Sequence, residues 1–144
     1  MLVRDLMSRN VCIASPQDTL QKAARMMAER DIGFLPVGEN DRMVGMLTDR
    51  DIVVRSVAIG KDGSAKVKDA MTADVKYCFD DEDLDHVVET MGDMKVRRLP
   101  VVDRNKRLVG VVALSDIARR HDPRAAGIAL GNVSGPGGPH SQAG

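Results

Sequence analysis

Residues 45–52 read Gly-Met-Leu-Thr-Asp-Arg-Asp-Ile, and residues 110–117 read Gly-Val-Val-Ala-Leu-Ser-Asp-Ile. Each stretch begins with a short apolar run, which is typical of a strand, and continues with an Asp at the start of a helical pattern. Such a junction brings free backbone N–H groups and a carboxylate together at the carboxyl end of the strand. The two stretches therefore predict the same local structure twice in one chain.

The repeat extends over most of the 144 residues. A shift of 64 positions pairs identical residues before position 38, and a shift of 65 does so after position 41. We therefore predict a first repeat over 1–60, a linker over 61–66, a second repeat over 67–121, and a weak helix with a disordered Gly- and Pro-rich tail over 122–144. The identical pairs at the first shift include Val3 and Val67, Met7 and Met71, Leu35 and Leu99, and Pro36 and Pro100.

Each repeat is predicted to form a β-α-β-β-α unit. In the first repeat, Ser15 and Asp18 have the spacing of a helix N-cap and its partner, and Gly60 is a natural C-cap for the closing helix. The fold class is α/β (α+β), with the two repeats packed sheet to sheet in pseudo-twofold symmetry, because a lone unit would leave one sheet face uncovered. The predicted elements are a strand over 11–14, a helix after Ser15, a hairpin over 35–47 and a helix over 49–59, then strands over 98–102 and 108–112 and a helix from 115 to about 121.

The composition excludes several classes of protein. Basic and acidic residues balance at 21 each, and the aromatic residues are one Tyr and two Phe, so we expect no nucleic-acid binding by overall charge or by base stacking. No apolar run approaches the roughly 18 residues of a membrane span, so we expect a cytoplasmic protein without a membrane segment. The sequence contains no nucleophile elbow, no phosphate loop with Lys and no HExxH motif, so we expect no enzymatic activity and no required cofactor.

The duplicated unit resembles a tandem pair of cystathionine β-synthase (CBS) domains, also called a Bateman module. The resemblance rests on the β-α-β-β-α pattern, the Leu-Pro-Val strand at 35–37, and a Gly-x-x-(Thr/Ser)-x-x-Asp pattern at the end of each repeat. The chain is similar to small stand-alone bacterial members, including the hypoxic-response proteins of mycobacteria, from residue 1 to about 121. The resemblance implies adenosine-nucleotide binding in clefts between the repeats, and homodimers that form a flat disc.

Thr48 and Asp51 are the first candidates for ligand contact. An Asp carboxylate accepts hydrogen bonds from both hydroxyls of a ribose, while a Thr hydroxyl and nearby N–H groups hold a phosphate. The same spacing also predicts a capping box, with Thr48 as the N-cap. In the second repeat Ala113 stands in place of the Thr, so either Ser115 caps a helix that begins later or Asp116 has a function besides capping.

Three arginines are candidates for phosphate contact. Arg50 lies in the first turn of its helix, where a cation opposes the helix dipole, so it is either an ordinary surface residue or the partner of a bound anion. Arg98 follows Arg97 at the position that Phe34 has in the first repeat, and it either faces a ligand or lies at a solvated edge. The resemblance makes Arg120 a candidate phosphate clamp, although complementation of the helix dipole explains it equally well.

The resemblance also implies a flat apolar slot for adenine in each repeat. Ordinary packing at the edge of the core explains the same residues at least as well. The candidates are Ile13, Ala14, Leu35 and Pro36 in the first repeat, and Tyr77, Cys78, Leu99 and Pro100 in the second.

The two cysteines, Cys12 and Cys78, lie at non-equivalent positions of the repeats. Buried free thiols are the expected state, and an intramolecular redox pair is the alternative. No Cys and His spacing typical of a zinc site occurs, so we expect no metal.

These features together predict a regulatory module. It would bind AMP, ADP, ATP or S-adenosylmethionine between its repeats and change the packing of a homodimer or of a partner. One alternative is a ligand-free dimerisation scaffold for an unknown client protein. A weaker alternative is a redox or stress sensor that acts through Cys12 and Cys78.

Overall fold

The structure, a computed structural model, describes residues 1–134. The chain divides into two compact units. The first unit comprises residues 12–75, and the second comprises residues 1–11 together with residues 76–134. Each unit combines helices with a small sheet, which confirms the mixed α+β class.

The first unit is built around an antiparallel hairpin. Leu35 pairs with Leu47 across the two strands. Asn40 and Asp41 both have positive φ, 54° and 62°, as a tight two-residue hairpin loop requires. The elements of this unit are α1 (Leu20–Arg30), β1 (Phe34–Glu39), β2 (Arg42–Thr48), α2 (Asp49–Arg55), a 3₁₀ turn (Val57–Ile59) and α3 (Val67–Ala70).

The second unit contains a three-stranded sheet in the order β3-β4-β5. Strand β3 runs parallel to β4, and β4 and β5 form the hairpin of this repeat. The elements described in this unit are a 3₁₀ turn (Val3–Asp5), β3 (Cys78–Phe79), α4 (Leu84–Met94), β4 (Arg98–Val102), β5 (Leu108–Ala113), α5 (Leu114–Arg120) and α6 (Pro123–Ser134).

The first segment of each repeat packs on the hairpin of the other repeat. In the second unit, the N–H groups of Ser8 and Val111 donate to each other's carbonyl oxygens, both over 2.9 Å. In the first unit, the N–H of Met46 donates to Thr72 O over 2.9 Å, and the N–H of Thr72 donates to Met46 O over 2.8 Å. We call residues 1–11 and 67–75 the exchanged leaders.

One glycine in each hairpin allows its exchanged leader to approach. A Cβ built at Gly45 would lie 2.7 Å from Met71 Sδ and 2.9 Å from Thr72 O. A Cβ at Gly110 would lie 2.7 Å from both Met7 Sδ and Ser8 O. These glycines therefore serve close packing, since no side chain fits between the hairpin and the leader.

The apolar spacing at 20, 23, 24 and 27 and at 84, 87, 88 and 91 predicts one buried face on each long helix. Each face contributes to the core of its own unit, except that Ala24 is exposed. The two faces consist of Leu20, Ala23 and Met27 on α1, and Leu84, Val87, Val88 and Met91 on α4. All are buried, and each set packs on the buried residues of its own hairpin. Burial of a Leu side chain contributes about 1.5–3 kcal/mol, so these faces are a main source of stability.

The start of the first repeat differs from the prediction. Only Ala14 of the predicted strand over 11–14 pairs with another strand, in a single parallel bridge to Val37. Helix α1 begins at Leu20 with Thr19 as its N-cap, and not after Ser15. The Ser15 N–H donates to Asp18 Oδ2 over 2.9 Å in a turn that precedes the helix, so the expected capping pair closes a turn instead.

The helix ends also differ. Helix α2 stops at Arg55, and a 3₁₀ turn carries the chain to Gly60, whose φ of 87° ends the element as the C-cap prediction requires. Helix α6 continues to Ser134, so residues 131–134 are helical where the sequence predicts a disordered tail. The rest of that prediction, over 135–144, lies outside the described residues. Within residues 1–134, none of the helices has the length and apolar composition needed to cross a bilayer.

Candidate ligand sites at the strand-to-helix junctions

The junction of the first repeat is closed by a reciprocal cap. Thr48 ends β2 and is the N-cap of α2, and its Oγ1 accepts a hydrogen bond from the Asp51 N–H over 3.1 Å. Asp51 Oδ2 accepts one from the Thr48 N–H over 3.0 Å, and Arg55 Nε lies 3.8 Å from Asp51 Oδ1. The predicted capping box is therefore present. A carboxylate has about four acceptor positions, so Asp51 keeps acceptor capacity for a ligand.

At this junction the carboxylate of Asp49 lies close to Gly33. The Asp49 N–H donates to Gly33 O over 2.9 Å, and a Cβ at Gly33 would lie 2.7 Å from Asp49 Oδ2. The carboxylate of Asp49 thus lies against bare backbone, and its Oδ1 accepts a hydrogen bond from the Arg50 N–H over 2.8 Å. The Arg50 side chain is exposed at this helix start. Its role as a partner of a bound anion stays a prediction.

The junction of the second repeat lacks a side-chain cap. Helix α5 begins at Leu114 with Ala113 as its N-cap, and no side chain of that cap accepts a hydrogen bond. Ser115 lies within the helix, so the alternative in which Ser115 caps a later start is wrong. Asp116 instead accepts a hydrogen bond from the Arg119 guanidinium, one turn further along α5.

Arginine and leucine replace glycine and aspartate at the second junction. The Leu114 N–H donates to Arg97 O over 2.8 Å, as Asp49 does to Gly33 in the first repeat. Arg98 pairs with Ala113 across β4 and β5. The two junctions therefore share a backbone geometry, while Asp49 is present only at the first and the two arginines Arg97 and Arg98 only at the second.

A cavity of about 300 Å³ lies at the second junction. Of the predicted site residues it brings together Arg98, Ala113 and Ser115, whereas Arg120 is exposed near the end of α5 and does not line it. We did not predict from the sequence the apolar and small residues that α5 and α6 contribute to the lining. The apolar spacing from 126 to 130 could have indicated the part that α6 contributes. These missed residues are Leu114, Ala118, Pro123, Ala126, Gly127 and Leu130.

Most candidates for an adenine slot are buried. Leu35 and Leu99 have no exposed surface and belong to the cores of their units, as ordinary packing residues do. Ile13 is 48% exposed, and Tyr77 is partly buried with its ring edge-on to Phe79 at a centroid distance of 5.7 Å. The other candidates are buried, namely Ala14, Pro36, Cys78 and Pro100. Contact of this set with a ligand stays a prediction.

A larger cavity of about 500 Å³ lies in the first unit and contains none of the predicted site residues. Thr19, Leu20 and Ala24 of the α1 region, Ile52 of α2, and residues 62–64 contribute to its lining. Ser56 also lines it, and its buried Oγ has no hydrogen-bond partner within the described part of the chain. This cavity is a groove that the sequence did not indicate.

The thiol of Cys78 is buried in the second unit. Its Sγ lies 3.8 Å from Pro100 O. Burial, with a smaller contribution from the charge of Glu82, raises the pKa of Cys78 to about 12. This environment is that of a buried free thiol, and Cys12 is a half-buried free thiol. Residues 1–134 contain no group of three or more His, Cys, Asp and Glu side chains able to share a metal ion.

Comparison with known proteins identifies the family. The model of the CBS domain matches residues 3–57 and again residues 67–122. The chain therefore belongs to the CBS domain family and carries two copies of the domain.

Similar proteins include stand-alone members of this family. The CBS domain-containing protein YhcV of Bacillus subtilis is 40% identical over 133 residues, which are 92% of this chain and 94% of that protein. Hypoxic response protein 1 of Mycobacterium tuberculosis is 41% identical over 125 residues, covering 85% of this chain and 86% of that one. These matches confirm the resemblance to CBS pairs and to the mycobacterial hypoxic-response proteins.

Solved structures show the same fold. The crystal structure of Hypoxic Response Protein I with two coordinated zinc ions has a TM-score of 0.75 at 38% identity, covering 83% of this chain and 98% of that chain. The CBS domain pair of protein MJ0100, in complex with 5′-methylthioadenosine and S-adenosyl-L-methionine, has a TM-score of 0.74 at 29% identity, covering 86% of this chain and 98% of that chain.

Proposed function

We propose that this chain is a regulatory module, without catalytic activity of its own, that binds an adenosine nucleotide or S-adenosylmethionine. The observation that carries the proposal is the likeness to the CBS pair of MJ0100, whose structure holds two adenosine compounds. Both junctions of the present chain keep the Asp of the repeat pattern, Asp51 and Asp116. Each carboxylate is a candidate acceptor for ribose hydroxyls.

A titration with adenosine compounds tests this function. AMP, ADP, ATP and S-adenosylmethionine are added to the full chain, and binding is followed by calorimetry and by the melting temperature. A ligand that binds only the folded state stabilises it by about 2.7 kcal/mol at a hundred times its Kd. The absence of heat and of a thermal shift at millimolar concentrations of all four compounds would contradict the proposal.

A ligand-free scaffold is the second candidate, and one surface favours it. Val53, Val54, Val57 and Ile59 are between 42% and 64% exposed along α2 and the turn that follows. Exposed apolar side chains grouped in this way mark surfaces for association. We propose that this surface mediates homodimer formation. Association without any nucleotide response would favour the scaffold over the ligand sensor.

A further inference from the structure

The two main helices of each repeat form a groove, and the two units differ in what fills it. In the second unit α6 packs against both α4 and α5, and its residues Ala126 and Ala129 are buried there. In the first unit the cavity of about 500 Å³ lies between α1 and α2, with Ala24 and Ile52 in its lining. We call the groove beneath α6 the covered groove and the groove between α1 and α2 the open groove.

The two grooves are built from equivalent positions of the repeats. A shift of 64 relates Ala24 to Val88. A shift of 65 relates Ile52 to Ile117. In the covered groove Val88 and Ile117 are buried in the same core cluster as the alanines of α6. In the open groove Ala24 is exposed and Ile52 is half-buried, so α6 covers in the second unit a surface that the first unit leaves open.

Helix α6 lies on α4 through small residues. A Cβ built at Gly92 of α4 would lie 3.4 Å from Ala129 Cα and 3.5 Å from Ala129 Cβ, so the two helices approach closely there. The larger apolar residues Ile128 and Leu130 of α6 are both exposed. Because a buried methyl group contributes less than a buried Leu or Ile side chain, α6 leaves the second unit at a lower cost than a helix that buries such side chains.

The open groove adjoins the apolar surface that we propose for the homodimer. Val57 belongs to that surface and also lines the open groove. Val53 belongs to the same surface, and its equivalent in the second repeat is Ala118 of α5. Ala118 is half-buried and packs against the core of the second unit. The covered groove is therefore the counterpart, in the second repeat, of the surface proposed for association in the first.

We propose that α6 is a displaceable cover over a second association surface, and that a second copy of this chain docks in the covered groove when α6 leaves it. The inference rests on the proposed homodimer and extends it, because it gives each repeat an association surface and blocks one of them with α6. A second copy is the expected occupant, since equivalent helices of two related repeats present equivalent surfaces. A chain with both surfaces open would assemble beyond the dimer, so α6 limits the assembly to two copies.

The test first detaches α6 in the full chain. Ala129→Arg forces a large charged side chain into the contact with Gly92, so α6 should leave the second unit. Gly131→Arg is the matched control on the same helix, because a Cβ at Gly131 meets no atom within 4 Å. Hydrogen exchange followed by mass spectrometry measures the detachment, and the amides of α6 should exchange faster in Ala129→Arg than in Gly131→Arg. A cooperative melting transition verifies that the rest of each variant is folded.

Sedimentation then measures association with the first surface blocked by Val57→Lys and Ile59→Lys. We expect this blocked chain to be monomeric while α6 is in place. Adding Ala129→Arg should double its mass, whereas adding Gly131→Arg should leave it monomeric. Ala118→Lys places a charge in the covered groove and should return the detached, blocked chain to the monomer.

A blocked chain that stays monomeric after α6 detaches would overturn the inference and leave the homodimer proposal standing. Polydisperse aggregates in place of a discrete dimer, or a dimer that persists with Ala118→Lys, would overturn it as well. If the amides of α6 stay protected in Ala129→Arg and also in the double variant with Ala126→Arg, α6 is a permanent part of the core and the inference is wrong. A wild type that is monomeric before any substitution would remove the homodimer proposal and this inference with it, so the two failures are told apart.

Discussion

Thr48 and Asp51 cap each other: the Thr48 N–H donates to Asp51 Oδ2 over 3.0 Å, and the Asp51 N–H donates to Thr48 Oγ1 over 3.1 Å. Stabilisation of α2 accounts for this arrangement without any ligand. The same two side chains are nevertheless the candidates for ribose and phosphate contact. Capping and ligand binding therefore have to be separated by substitution.

Asp51→Asn and Thr48→Ala make that separation. In Asp51→Asn the new amide oxygen still accepts a hydrogen bond from the Thr48 N–H, but the second carboxylate oxygen, which a ribose needs in order to donate both hydroxyl hydrogen bonds, is replaced by a donor NH₂ group. We expect a small loss of stability and loss of the nucleotide-induced thermal shift at the first repeat. Thr48→Ala removes the cap and costs about 1 kcal/mol in urea unfolding. A thermal shift that survives Asp51→Asn would restrict Asp51 to capping.

The close approach of the exchanged leaders predicts a sharp dependence on glycine. In Gly45→Ala and Gly110→Ala the new methyl group meets Met71 and Met7 at 2.7 Å. We expect each variant to lose about 1–3 kcal/mol of unfolding free energy, as overpacked sites do. Gly131→Ala is the control, because its methyl group meets nothing and Ala favours the helix by about 0.5–1 kcal/mol. Equal stability of all three variants would refute the packing argument.

Cys78 should resist alkylation in the folded protein. Its pKa is raised from 9.0 to about 12 by burial, which lowers the reactive thiolate fraction about a thousandfold. We expect timed iodoacetamide labelling, followed by mass spectrometry, to modify Cys12 first and Cys78 only in denaturant. Native labelling of Cys78 at the rate of Cys12 would disagree with this burial and would revive the redox-sensor alternative.

Asp81 and Arg104 predict a pH dependence. Arg104 Nε and Nη2 donate to the Asp81 carboxylate over 2.7 and 2.6 Å, and these hydrogen bonds hold the pKa of Asp81 below its usual 3.8. Because the folded pKa is the lower one, the pair stabilises the fold above 3.8 and loses this effect as pH falls through the folded value. The stability difference between wild type and Asp81→Asn should shrink between about pH 5 and about pH 2.

The control for that experiment is Arg104→Gln, which removes the cause of the shift. The stability difference between this variant and the double variant that also carries Asp81→Asn should depend on pH less than the difference between wild type and Asp81→Asn, because the Arg104 hydrogen bonds are the largest cause of the lowered pKa of Asp81. The whole effect is small, because exposed ion pairs contribute little in water. If the stability difference between wild type and Asp81→Asn did not shrink at the acidic end of the range, Asp81 would act through something other than its charge.

The apolar surface on α2 predicts association. Val57 and Ile59 are 60% and 64% exposed, so replacing both with Lys should leave the fold intact and prevent a dimer. Sedimentation or light scattering measures the mass of wild type and variant. Ile128→Lys is the control, since Ile128 is 65% exposed on α6. A monomeric wild type would contradict the homodimer, and an unchanged mass in the double variant would exclude this surface.

The sequence predicts the hairpins and the strand-to-helix junctions well. Alternation and turn residues are local signals, and Asp49 at the start of α2 follows directly from them. The sequence places the N-cap of α1 at Ser15, whereas the helix is capped by Thr19, because both residues are competent caps and only packing decides between them. The sequence does not show that each exchanged leader packs on the hairpin of the other repeat, because identical residues such as those at 3 and 67 would fit either hairpin.

The candidate site could be predicted only where it is local. Thr48 and Asp51 come from a short repeated pattern. Arg98 and Ser115 come from positions at which the second repeat differs from the first, and these two residues share a cavity. The contribution of α6 depends on a helix that returns to α4 and α5 after Pro123, and such a long-range contact has no local signature. The weak helical pattern in this segment predicts a helix, but it does not predict where that helix packs.

The exchanged leaders have an evolutionary consequence. In a polypeptide with a single repeat, the leader would not pack on the hairpin of its own repeat. That hairpin would stay uncovered until a second polypeptide supplied its leader. Two such polypeptides would complete each other by swapping ends. If two such genes fused, the leaders would be exchanged within one chain instead of between two chains. An ancestor with one repeat would therefore have been a domain-swapped dimer.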